Sequence, residues 1–81
     1  MEKRIAILGI IVENPDSVSA VNELLHEYRE SIVGRMGMPY RERSLSVISI
    51  VLDTVNDTIS ALSGKLGMLD GVSAKAVYSK K

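Results

Sequence analysis

The sequence contains no cysteine, no phenylalanine and no tryptophan among its 81 residues. Without cysteine there are no disulfide bonds, no thiolate metal ligands and no thiol nucleophile, a composition that fits a cytoplasmic protein. Since Tyr28, Tyr40 and Tyr78 are the only aromatic residues, a folded core must be built mainly from aliphatic side chains. The length predicts one domain, residues 1–81.

An excess of charge of either sign is also missing, because ten basic residues balance ten acidic ones. Tight binding to a nucleic-acid backbone requires a basic patch, so direct nucleic-acid binding is not expected. The apolar run at residues 5–12 is far shorter than the ~20 residues of a membrane helix, so we expect no membrane association.

What the chain does contain is two segments that are apolar on both faces, residues 5–12 and 45–52. A strand with one face in water alternates apolar and polar residues, and neither segment does so. Because a chain of this size cannot cover both sides of a sheet, we expect another copy to cover the second face, in a homodimer or homotetramer. The candidate interface residues are Ile5, Ile7, Ile48 and Ile50, although the sequence leaves open which parity of each strand faces the partner.

Turn signals divide the chain into a strand–helix–strand pattern that occurs twice. Asn14 and Pro15 begin a helix that we expect to reach about Ser31, and Gly71 follows a second helix as its left-handed cap. Gly64 and Gly67 within that second helix indicate a close approach to the sheet. The order βαββαβ predicts an α+β, ferredoxin-like fold whose four-stranded antiparallel sheet has the order 4-1-3-2, with two helices on one face.

Candidate ligand-binding residues occur first where strand 1 gives way to helix 1. Asn14 and Asp16 stand there, and the free N–H groups of a helix start can hold an anion or a small polar effector. Helix capping explains the same two residues without a ligand.

A second group of candidates comes from residues 35–43, which combine methionine, glycine, proline, tyrosine and arginine. Such a mixture is typical of binding surfaces, and we take Arg35, Tyr40 and Arg41 from it as candidates for a ligand or subunit contact. The alternative is an irregular edge strand that leads into a charged turn.

Metal and catalytic sites have little support in the sequence. His26 is the single histidine, and one histidine with nearby carboxylates is a poor ligand set for a transition metal. We therefore expect no metal and no cofactor, and His26 is only a weak metal candidate. No nucleophile with a base and no acid–base pair is visible, so we expect no enzymatic activity.

Three segments carry a resemblance to a known family, namely residues 35–42 (RMGMPYRE), 48–52 (ISIVL) and 56–67 (NDTISALSGKLG), the last followed by Gly71 and Val72. Over essentially its whole length the chain resembles small bacterial proteins assigned to the regulation of the iron-only hydrogenase system. The resemblance implies an ACT-like form of the ferredoxin-like fold, similar to the C-terminal domain of the nickel-responsive repressor. It also implies a homo-oligomer with a role in hydrogenase expression or maturation.

The chain differs from that repressor in two ways. The repressor carries an N-terminal ribbon-helix-helix for DNA and binds nickel through histidine and cysteine, whereas this sequence opens on a strand and has no cysteine. We therefore predict a non-enzymatic, self-associating regulatory module that takes a small-molecule effector at a subunit boundary. The alternative is a metal-responsive transcription regulator that lacks its own DNA-binding domain, with ligands gathered around His26 from several subunits.

Overall fold

The computed structural model describes residues 2–80, which form four strands and two α-helices. Three short 3-10 turns connect these elements, at Pro15–Ser17, Arg29–Ser31 and Arg41–Arg43. In chain order the elements are β1 (Lys3–Val12), α1 (Val18–Glu27), β2 (Ile32–Tyr40), β3 (Leu45–Val55), α2 (Asn56–Gly67) and β4 (Val72–Tyr78).

The four strands form one antiparallel sheet in the order β2-β3-β1-β4. This is the predicted order 4-1-3-2 counted from the other edge, so the ferredoxin-like α+β fold is confirmed. The two segments that are apolar on both faces are the central strands β1 and β3. Edge strand β2 is irregular, with a register shift between Ile32 and Gly34.

The core lies between one face of the sheet and both helices, as predicted. Every second residue from Ala6 to Val12 in β1 and from Ile48 to Thr54 in β3 is buried there, because successive side chains of a strand point to opposite faces. The α1 helix contributes Val21 and Leu25, which are spaced one helical turn apart. The buried aliphatic residues of the other elements are Ala6, Leu8, Ile10, Val12, Ile48, Ile50, Leu52, Ile59, Leu62, Leu66 and Val72.

The placement of Ile48 and Ile50 on the uncovered sheet face is wrong, because only 7% and 0% of their surface is exposed. In the register of the sheet, Ile48 lies opposite Ile10 of the core, and directly paired residues point to the same face. Both isoleucines therefore lie beneath the helices. Ile5 and Ile7 do lie on the uncovered face, where they are 44% and 48% exposed.

The predicted helix that reaches Ser31 is interrupted, since α1 ends at Glu27 and a separate 3-10 turn precedes β2. The α2 helix ends at Gly67, and Gly71 adopts its left-handed conformation (φ +69°) later, in the turn before β4. The expectation for Gly64 and Gly67 is also wrong. A Cβ atom at either position would have no neighbour within 4 Å outside the local helix backbone, so neither glycine is needed for a close helix–sheet contact.

Candidate functional site

The face of the sheet that the helices leave uncovered is here called the open face. Within residues 2–80, ten large hydrophobic side chains are exposed, and the register of the sheet assigns eight of them to the open face. The eight on the open face are Ile5, Ile7, Ile11, Met36, Met38, Tyr40, Val47 and Val77. Most of the exposed large apolar side chains therefore belong to one continuous surface.

This surface has ridges and a depression. One ridge runs across the strands through Ile11 and Val47, and a second runs through Ile7 and Val77. Gly9 lies between the ridges on the central strand β1, and a cavity of about 450 Å³ opens there. A Cβ atom at Gly9 would come no closer than 3.9 Å to the Lys75 carbonyl oxygen, so the chain's own packing does not fill this space.

Charged side chains stand toward the margins of the open face. Lys75 pairs with Gly9 from edge strand β4, and Asp53 pairs with Ile5 near the end of β3. The centre, around Ile7 and Ile11, is aliphatic. An apolar centre with charges at the rim is the usual anatomy of a protein–protein interface.

The predicted ligand residues Asn14 and Asp16 lie in the turn after β1, where the side chain of Asn14 is engaged by its own chain. Its Oδ1 accepts a hydrogen bond from the Asp16 backbone N–H at 3.0 Å, and its Nδ2 donates to Asp70 Oδ2 at 2.6 Å. The backbone N–H of Glu13 donates to the Gly71 carbonyl oxygen at 2.7 Å. These bonds join the β1–α1 turn to the α2–β4 turn, and a ligand at Asn14 and Asp16 stays a prediction.

The structure does not bring Arg35, Tyr40 and Arg41 into one pocket. The side chain of Arg35 lies on the helix side, where its Nη2 donates to Asn22 Oδ1 at 2.6 Å. Tyr40 lies on the open face, opposite Leu45. Arg41 lines a cavity of about 320 Å³ at the end of the sheet. Their role in ligand binding therefore stays a prediction, and any shared ligand would have to span several surfaces.

Ser44, which lines the cavity beside Arg41, was not singled out from the sequence. It follows the Arg41–Arg43 turn with a φ of +54°, a left-handed conformation that disfavours residues with a Cβ atom. Serine gives no strong signal for this conformation, so only the β2–β3 connection as a whole was predictable.

His26 is exposed on α1, beside a cavity of about 340 Å³ that Arg29 and Arg35 also line. The Arg29 guanidinium donates to the backbone carbonyl oxygen of His26 at 2.9 Å. Within residues 2–80, no three histidine, aspartate or glutamate side chains come together in a way that could hold a metal ion.

One ionisable side chain connects the two helices. The ammonium group of Lys65 lies 5.2 Å from the centre of the Tyr28 ring. A hydrogen bond with the Tyr28 hydroxyl, followed by Coulombic interaction with the same group, raises the pKa of Lys65 above its usual 10.5. This contact links α1 to α2 on the surface, far from the open face.

In the described part of the chain, no helix has both the length and the apolar composition that a membrane crossing requires.

Comparison with known proteins agrees with the resemblance in the sequence. No curated protein matches the chain. Among solved structures, it is similar to "uncharacterized protein TM1266 from Thermotoga maritima", with 50% sequence identity and a TM-score of 0.93. That match covers 98% of this chain and 100% of the other. Residues 4–76 match the TM1266-like family, whose description is "Iron-only hydrogenase system regulator, putative". Given this coverage and the shared fold, the chain belongs to the TM1266-like family.

Proposed function

We propose that this protein is a non-enzymatic regulatory module that acts in the cytoplasm as a homo-oligomer joined through the open face. The observation that carries the proposal is the concentration of eight exposed large hydrophobic side chains on that one surface. Contiguous apolar patches of this kind on small proteins mark interaction sites, because exposure to water is unfavourable. The family description supports the regulatory part of the proposal.

The size of the open face fits a second copy of the same chain. Four strands about 4.8 Å apart and about seven residues at ~3.4 Å each give a flat area of roughly 450 Å². Two copies would bury about 900 Å² if both faces were flat, slightly less than the ~1,000 Å² of the smallest specific complexes, and the projecting side chains add to this area. A second copy presents a sheet of equal dimensions, so its extent matches the surface without leaving apolar margins exposed.

The shape of the open face, with its projections and its depression, also supports self-association. A twofold interface uses the same patch on both subunits, so that patch must be complementary to itself. The open face offers both projecting side chains, such as Ile7 and Ile11, and the depression over Gly9. Two sheets that pack face to face about 10 Å apart would place ridges of one copy over the depression of the other.

A small-molecule effector at the margin of this interface forms the second part of the proposal. Tyr40 is the candidate residue for such a contact, because it lies on the open face at the end of the sheet. Its hydroxyl group could accept or donate a hydrogen bond beside an otherwise apolar surface.

The test of self-association is light scattering over a concentration series from about 5 to 200 μM, with the variant Ile7→Glu. We expect the wild type to have at least twice the monomer mass. Ile7→Glu should be monomeric at the same concentrations, because the interface would bury a carboxylate without a partner. Its fold should persist, since Ile7 is 48% exposed in the single chain.

Met68→Glu is the matched control, because Met68 is 87% exposed and does not belong to the open face. This variant should keep the mass of the wild type. If Ile7→Glu loses its circular dichroism spectrum, Val77→Glu replaces it, since Val77 is 67% exposed on an edge strand. A wild type that is monomeric up to 200 μM, or open-face variants that keep its oligomeric mass, would contradict the proposal.

A further inference from the structure

A second surface, on the other side of the sheet, lies between α1 and edge strand β2. Three adjoining cavities of about 320, 140 and 340 Å³ follow this line. The first two share Val12 and Val18 in their linings, and the last two share Asn22 and Arg35. They therefore form one line of depressions, which the Arg35–Asn22 hydrogen bond crosses between the last two and which we call the α1–β2 groove.

The groove is positively charged along its length. Arg29 and Arg35 line one end, and Arg41 lines the other. The guanidinium groups of Arg29 and Arg35 are positioned by uncharged oxygen atoms, the His26 carbonyl and Asn22 Oδ1. An arginine side chain has five N–H donors, so these single bonds leave most donors unused and the charge uncompensated.

Acidic side chains occur nearby, but they do not line the groove. Glu23 and Glu27 line a fourth cavity, which adjoins the groove at Asn22 and His26, but neither residue lines the three cavities of the groove itself. Glu42 is in the turn next to Arg41 and is not part of its cavity. The groove itself is therefore lined by arginines, and acidic side chains border it at the His26 end, in a chain whose formal net charge is zero.

The spacing of the arginines favours an elongated occupant over a small anion. Arg35 and Arg41 are six residues apart, and all but the last of these residues are in β2, so they are separated by roughly 20 Å. A single phosphate or carboxylate cannot contact both side chains. An occupant that contacts the arginines at both ends therefore carries several negative charges along an extended backbone.

The floor of the groove distinguishes a peptide from a nucleic acid. Aliphatic side chains form it, among them Val12, Leu25 and Ile48, and the His26 imidazole at one end is the one aromatic ring among the described residues that line the three cavities. Single-stranded nucleic acids are usually held by stacking of successive bases on several aromatic rings, which this groove does not offer. Alternate side chains of an extended peptide can contact such a floor while the others reach the arginines.

We propose that the α1–β2 groove binds an acidic, extended segment of a partner protein, with Arg29, Arg35 and Arg41 contacting its carboxylates. Met38 and Leu45 of the open face border the groove at one end, whereas Arg29 and Arg35 lie on the helix side of the sheet, so self-association leaves these two arginines accessible. The same module can therefore contact its own copy and a different protein at once.

The test uses a fluorescein-labelled peptide of twelve residues in which glutamate or aspartate alternates with leucine or valine. Fluorescence anisotropy measures its binding to the full chain at about 50 mM salt. Arg35→Gln should weaken binding about 2- to 5-fold, the range for an exposed ion pair, and the combination with Arg29→Gln and Arg41→Gln should weaken it further. Gly37→Val should also weaken it without a change of charge, because Gly37 lines the middle cavity.

Arg43→Gln is the matched control, since it removes the same charge from the neighbouring turn but lines none of the three cavities. It should change the affinity less than about 1.5-fold, within the small effects of exposed charges. Light scattering should give the same mass for all groove variants, which separates this test from that of self-association.

Three results would overturn the inference. The first is an equal loss of affinity in Arg43→Gln and Arg35→Gln. The second is equal binding of a peptide whose acidic residues are replaced by glutamine and asparagine. The third is tighter, Arg35-dependent binding of a single-stranded oligonucleotide or of inorganic polyphosphate, which would assign the groove to a different class of ligand.

Discussion

Replacement of Gly71 by alanine should destabilise the protein strongly, because two independent features of the structure forbid a side chain there. Gly71 has a φ of +69°, a left-handed conformation. A Cβ atom would also lie 2.7 Å from the Asn14 Cβ atom and 2.9 Å from the Asn14 backbone nitrogen. These atoms cannot move away easily, since the Glu13 N–H donates to the Gly71 carbonyl oxygen at 2.7 Å.

The expected size of the effect follows from these two features. The left-handed conformation costs a residue with a Cβ atom about 1–2 kcal/mol. The added Cβ atom would force the β1–α1 turn away from the α2–β4 turn, and overpacking of this kind costs about 1–3 kcal/mol. The alanine side chain also restricts the unfolded chain, and this offsets about 0.4–1 kcal/mol of the loss in stability. We therefore expect Gly71→Ala to lower the free energy of unfolding by about 2–4 kcal/mol, or Tm by at least about 8 °C.

Urea unfolding followed by circular dichroism measures this loss, at one fixed protein concentration because association also affects stability. Gly64→Ala is the control, since Gly64 is inside α2 and a Cβ atom there would have no neighbour within 4 Å. That variant should be more stable than the wild type by about 0.5–1 kcal/mol. A Gly71→Ala variant within about 0.5 kcal/mol of the wild type would refute the role of this turn.

Two further predictions concern the core and the surface contact between the helices. Ile50→Ala should lower the free energy of unfolding by about 2–5 kcal/mol, because Ile50 is fully buried, whereas Val47→Ala on the open face should cost less than about 1 kcal/mol in the monomer. Equal losses in urea unfolding would contradict the assignment of the two faces. The pKa of Lys65 is raised in the folded state, so the stability it contributes is present below its ordinary pKa of 10.5 and is lost as the pH rises through the higher folded value. Tyr28→Phe should bring the pKa of Lys65 back toward 10.5 in an NMR titration of the Lys65 side chain, and an unchanged pKa would contradict the Tyr28 hydrogen bond as its main cause.

The strand order was predictable because the sequence marks the central strands clearly. Residues 5–12 and 45–52 are apolar on both faces, whereas β2 is interrupted by Gly34, Gly37 and Pro39. That contrast assigns β1 and β3 to the centre without knowledge of the register. The same apolar character left unpredicted which face of β3 is buried, because both of its faces are rich in aliphatic residues. The register with β1 decides which face is buried, and this depends on contacts between residues far apart in sequence.

The candidate site was predictable only in part, for a related reason. The unusual composition of residues 35–43 pointed to Arg35 and Arg41, but not to Arg29 on the other side of the groove. The groove exists because α1 and β2 leave a space between them. The distance between two elements cannot be predicted from a local sequence pattern. The hydrogen bond between Arg35 and Asn22 likewise joins residues from different elements.

The order β2-β3-β1-β4 has a consequence for the synthesis of the chain. β1 is made first, yet both strands that pair with it, β3 and β4, follow α1 and β2 in the sequence. At roughly 5–20 residues per second, a ribosome needs about 2–9 s to proceed from the end of β1 to the end of β3. The β2–β3 hairpin can form within that time, because its strands are adjacent. During this interval the most apolar segment of the protein has no partner strand, so β1 is the part of the nascent chain that most needs protection from aggregation.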